Sequence, residues 1–272
     1  MRIVEPVRGL FAVASAGMAG LSLAFSDFGP MWRALPAWTP WPVAFVHGLA
    51  VIVLASCAGL CFSRTARASA WVIGAYYAIW ALVSAPQIVP QPLSVGAWYG
   101  FCEAMTCLTG AAILYAMLRW PEDGPETPIA VRRAVRAARV LFGLTCIFYG
   151  GSHFTYAAYT ATLVPAWLPG RLLLAYATGL AHIFAGLAIV VGVGARLAAT
   201  LEAGMMSLFG LLVWGPCFWA QPRPSWATPP ETLWSEFVVT GVVAASAWIV
   251  AASLSRQPWG LGWRSRSDRR PG

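Results

Sequence analysis

The side chains with chemical capacity are few, and they sit in apolar company. Glu103, Glu202, Glu236, His153 and His182 fall inside long hydrophobic runs, while Asp27 and His47 lie nearer the ends of others. An ionised group at the centre of a membrane helix costs about 2.5–3.5 kcal/mol on insertion scales, so such residues face protein, water or a ligand. A neutral imidazole both donates and accepts a hydrogen bond, and beside a carboxylate it can hand a proton to a buried ligand or hold its oxygen. Helical spacing sets Tyr149 and Tyr156 on the His153 face, and Thr178 and Gly186 on the His182 face. The candidate ligand-binding set is therefore Glu103, Tyr149, His153, His182 and Glu236.

Each of these also has a plainer role open to it. A polar side chain within a span can hydrogen-bond across helices and fix their register, for about 0.6 kcal/mol on average. Glu202, alone in the inner half of its run, is expected to pair with Arg196 or Arg67, and His47, flanked by Val43 and Val51, to anchor at the interface. His153 and His182 come from consecutive helices at similar depth, the arrangement of axial haem ligands, but two histidines alone do not supply the matched depth and wide glycine-lined cleft a haem needs. Six cysteines without a CxxC or a Cys/His ligand spacing give no metal site and read as small apolar filler. The chain has no Walker loop, Rossmann glycine pattern, HExxH or nucleophile elbow.

The elements that must position these groups follow from composition. With 59% hydrophobic and 10% charged residues among 272, the chain is excluded from the water-soluble class. Apolar runs near the length of a bilayer crossing occur at about 9–27, 43–62, 68–89, 95–118, 138–160, 172–194, 197–219 and 232–254. The fold class is an all-α polytopic membrane protein of eight crossings. Every basic residue is Arg, and fifteen of the eighteen fall on alternate connections and the two tails, which places both termini in the cytoplasm of an inner-membrane, multi-pass protein. The net charge of +8 is thus a topology signal and not a nucleic-acid footprint. The basic stretch Val131 to Val140 reads as an inner-face anchor able to meet anionic lipid.

The chain also repeats. Ser26-Asp27-Phe28 returns as Ser152-His153-Phe154, Pro36-Ala37-Trp38-Thr39-Pro40 as Pro165-Ala166-Trp167-Leu168-Pro169, Ala66-Arg67 as Ala195-Arg196, and Thr109-Gly110 as Thr240-Gly241. The shifts are 126, 129, 129 and 131 residues, which two parallel copies of a four-helix unit would produce. The expected organisation is a first repeat over 1–120, a cytoplasmic linker over 121–137, a second repeat over 138–255 and a basic tail over 256–272. The repeat also argues against reading the first apolar run as a cleaved signal peptide.

The second copy resembles the DoxX-like family of small four-helix membrane proteins. The resemblance rests on Gly150-Gly151-Ser152-His153-Phe154, Val164-Pro165-Ala166-Trp167-Leu168-Pro169, Thr178-Gly179, Gly186-Leu187 and Ala195-Arg196-Leu197-Ala198-Ala199. It implies a four-helix bundle in the cytoplasmic membrane and a membrane subunit or accessory protein of a quinone-linked redox system, with lipid and a redox protein as partners. His182 stands where such proteins often carry Glu, and Asp27 takes the His153 place in the first copy. The ligand this implies is a quinone or a lipid-like molecule near Glu103, His153 and His182, with no cofactor assigned; the competing readings are a non-catalytic membrane scaffold and a small-solute permease with its path between the repeats.

Overall fold

The structure, a computed structural model, describes residues 4–26, 41–120, 127–219 and 230–260. These residues form helices and no strand. The helices are α1 (Val4–Phe25), α2 (Pro42–Leu60), α3 (Ala66–Ser84), α4 (Val95–Arg119), α5 (Ile129–Thr155), α6 (Ala157–Leu163), α7 (Arg171–Val191), α8 (Ala195–Phe209) and α9 (Pro230–Ser253). Among the described residues, eight helical segments are long and apolar enough to cross a membrane, all but the short α6. The chain is an all-helical membrane protein.

Local chemistry sets the ends of these rods. Pro42 occupies the first turn of α2, where its missing N–H costs nothing. Gly192 and Gly194, with φ of 84° and 62°, close α7 and open α8 in left-handed backbone that other residues adopt at a cost, so two spans turn on a three-residue hinge. The basic residues from Arg132 to Arg139 form the first turns of α5 itself, continuous with the span.

Neighbouring spans pack in the order α1–α2–α3–α4 and α5–α7–α8–α9. The two halves then join through α1 on α9 and α4 on α5, with α4 and α9 also touching across the middle. The halves thus exchange the same kind of partner, each giving its first span to the other's last. A larger share of α4 and α9 is buried than of any other span. At the arginine-rich face Arg139 donates to the Ser253 Oγ and O at 3.0 and 2.7 Å, and Arg196 donates to Gln257 O while its guanidinium lies 3.9 Å from the Trp259 ring centroid.

Two departures from straight spans matter below. The apolar run at 138–160 is not one helix: α5 ends at Thr155, Tyr156 has φ −113° and ψ 33°, and the seven-residue α6 follows. The last third of the seventh span is also irregular, passing from α8 into a π turn at Gly210–Trp214 and a 3₁₀ turn at Gly215–Phe218. Pro216 lacks the N–H that would continue the α-helical ladder, and the Gly215 N–H reaches back to Gly210 O.

Candidate functional site

The closest approach in the second half is between α5 and α7, and glycine permits it. A Cβ added to Gly150 would lie 2.5 Å from Gly179 O and 2.5 Å from Ile183 Cγ1, and one on Gly179 would lie 2.8 Å from His153 Cβ. Only hydrogen fits at these contacts, which is how small residues substitute for a hydrophobic drive between helices in lipid. The result sets His153 directly against the backbone of α7: its Nδ1 is 3.1 Å from Ala175 O and 3.0 Å from Thr178 Oγ1.

One turn deeper, His182 is almost wholly buried, and its Nδ1 lies 2.8 Å from Oε1 of Glu202 on α8, itself 1% exposed. Glu202 therefore takes His182 and not Arg196 or Arg67. Counting inward from the Gly192–Gly194 hinge, the two residues fall at nearly the same depth on adjacent antiparallel helices, which sequence order conceals. Arg196 is turned instead to Gln257 and Trp259. The His153 and His182 rings meet edge to face with centroids 5.2 Å apart, and Phe209 contacts both, stacked on His153 and edge-on to His182.

These groups form one wall of a cavity of about 480 Å³. The structure brings Glu103, Tyr149, His153, His182 and Glu236 together around it, from four different helices. Tyr149 is held by a buried hydroxyl cluster: Thr145 donates to Phe142 O and accepts from Thr106, which lies 2.9 Å from the Tyr149 hydroxyl. On α4 the Tyr99 hydroxyl lies 2.7 Å from Ser152 Oγ, which fixes Tyr99 one turn from Glu103 at the α4–α5 seam. The early end of α5 lets α6 cross the opening and line it with Tyr159 and Leu163, while the π turn contributes Val213 and Trp214. Burial, with Glu236 adding to it, raises Tyr159 above the ordinary tyrosine value, so its hydroxyl keeps its proton and remains a donor. The cavity thus holds two carboxyl groups, two imidazoles, several phenols and four threonines in a largely apolar lining, toward the arginine-poor face.

Other candidates lie elsewhere. His47 Nε2 is 3.0 Å from Ser26 Oγ at an exposed position, and Asp27 falls outside the described residues. Sequence reasoning missed Tyr99, Phe209 and Trp214. The signals available for them were the i−4 spacing of Tyr99 from Glu103 and the proline that ends the seventh span irregularly; an aromatic on an apolar face otherwise looks like core.

The fold and cavity define a polytopic helical membrane protein with a largely apolar chamber formed by its second half and α4. Residues 134–215 match the model of the DoxX family, in the stretch where the glycine, histidine and proline pattern implied the resemblance. No curated protein and no solved structure matches the chain.

Proposed function

We propose that the protein is the membrane-embedded, ligand-holding member of a quinone-linked redox system, and that its cavity receives a quinone-class ring. The observation that carries this reading is the convergence of Glu103, Tyr149, His153, His182 and Glu236 on one largely apolar chamber of about 480 Å³ within the bilayer spans. Ligand sites have this character, an apolar lining with a few converging polar groups, and titratable side chains at this depth are expensive unless used. We read the two halves as parallel copies of one four-helix unit, supported by the repeated landmarks and by the matching exchange of first and last spans. On the positive-inside rule the arginine-rich face is cytoplasmic, so the cavity opens to the other side of an inner membrane, and electrons pass to or from a partner protein there.

A permease reading needs a path through the midplane. The cavity lining ends at the level of His182, Met206 and Val243, and below it Phe142, Ala138 and Ile249 are buried among apolar neighbours, which favours the ligand reading. The test is to purify the protein with its lipids, extract and identify any retained quinone, and titrate decylubiquinone and decylubiquinol into nanodiscs. The expected result is saturable binding of at least one redox form, weakened tenfold or more in His153→Ala with the melting temperature retained. Binding of neither form, in protein of native melting temperature, sinks the reading.

A further inference from the structure

The two imidazoles on the cavity wall are not equivalent, and their hydrogen bonds tell them apart. Ala175 O can only accept, so the hydrogen between it and His153 belongs to Nδ1 of His153. Thr178 agrees with this: its hydroxyl donates to Leu174 O or Ala175 O, at 2.9 and 3.1 Å, and so turns a lone pair toward the same Nδ1. In neutral His153 the other nitrogen, Nε2, is therefore an acceptor. It has no hydrogen-bond partner among the described residues.

His182 has the opposite polarity. Its Nδ1 is bonded to Glu202 Oε1 at 2.8 Å, and both side chains are buried to within 2%. Within a membrane span such a pair is least costly when it carries no net charge. That condition is met by imidazolium with carboxylate or by imidazole with carboxylic acid. In both, Nε2 of His182 carries a hydrogen. It too has no partner among the described residues, and the edge-to-face packing of the two rings makes no hydrogen bond between them.

An acceptor and a donor thus belong to two rings whose centroids lie 5.2 Å apart on one cavity wall. A carbonyl oxygen can satisfy only the donor and would set its lone pairs against Nε2 of His153. A hydroxyl satisfies both, donating to His153 and accepting from His182. We propose that this pair reads a ligand hydroxyl, so that the chamber selects the reduced, hydroquinone form of its ring over the oxidised quinone. The inference rests on the quinone-class reading above and sharpens it to one redox form. It also assigns Glu202 as a positioning residue, which touches no ligand and fixes the donor polarity of His182 from behind.

The test is equilibrium binding by anaerobic titration calorimetry in lipid nanodiscs, using decylubiquinol, decylubiquinone and the dimethyl ether of the quinol. The expected order is quinol at least tenfold tighter than both others, because a site built around a hydroxyl rejects analogues that lack one. His153→Ala should bring quinol and quinone within about twofold of each other, whereas His47→Ala leaves the preference unchanged. A readout independent of any variant is the nitrogen spectrum of labelled histidine: the bare Nε2 of His153 should shift on adding quinol and not on adding the ether. Quinone binding as tight as quinol overturns the hydroxyl reading while leaving a quinone-class site; no binding of any of the three overturns both.

Discussion

Set at the shift of 129 that aligns Pro36 with Pro165 and Ala66 with Ala195, the two halves carry different side chains at several inward positions. Where the second half has His182 and Glu202, the first has Val53 and Ile73, both buried. Where the second has Met206 and Phe209 beside a chamber, the first has Tyr77 and Trp80, among the largest fully buried side chains of the molecule. Tyr77 packs edge-on against Phe11 and Tyr76 and donates to Ser15 Oγ at 2.9 Å. The lesson is that similar helix neighbours support two interiors. Larger aromatics on α3 occupy the interior of one, while smaller side chains on α8, with the buried His182–Glu202 pair beneath them, leave room for a chamber in the other.

The sharpest way to break this comparison is at the buried His182–Glu202 pair. Glu202→Ala leaves His182 buried without its partner and should cost about 3–5 kcal/mol, seen as a lowered midpoint in thermal unfolding followed by helical circular dichroism. Copying the first half with His182→Val and Glu202→Ile together should recover most of that stability, since apolar replacement of a buried pair is often neutral or favourable. A double variant as unstable as Glu202→Ala would show that the halves are not interchangeable at this position. Next in size is the helix seam. Gly150→Ala drives a methyl group into Gly179 and Ile183 and should cost about 1–3 kcal/mol, while its neighbour Gly151→Ala, with open space around it, should gain about 0.5–1 kcal/mol. Equal melting temperatures for the two would refute the close packing that seats His153.

Filling the chamber is the converse experiment. Met206→Tyr with Phe209→Trp transplants the first half's bulk, and decylubiquinol binding should fall tenfold or more, about 1.4 kcal/mol, with folding retained. Unchanged affinity would place the ligand elsewhere. The smallest effect is expected in the first half, where Tyr77→Phe removes one interhelical hydrogen bond for about 0.6 kcal/mol in the same unfolding assay. A much larger loss there would mean that the first half also depends on a polar network.

Much of this was legible in the sequence because hydrocarbon is a severe solvent. Runs the length of a bilayer, broken by Pro, Gly and Arg, mark the spans with little ambiguity, and the rarity of ionisable residues inside them drew attention to His153, His182, Glu103 and Glu236. The irregular stretches were not legible. Nothing in the composition of 138–160 separates α5 from α6, since both are apolar and the break lies at a single tyrosine's backbone angles. Nor could periodicity show the π turn, which displaces Val213 and Trp214 by a fraction of a turn. The partner of Glu202 differs from the expected Arg196 or Arg67 because Arg196 is near in sequence, whereas His182 is near across a hairpin, a distance that only the packing of α7 on α8 defines.

Gly96, Tyr99 and Glu103, which line the chamber beside the histidines' half, belong to α4 and hence to the other half of the chain. The fifth to eighth spans produced as a separate polypeptide would show lipid a trough and not a vessel. Covalent fusion therefore keeps the missing side permanently at hand, in a fixed one-to-one ratio that two independent chains would reach only by meeting in the bilayer.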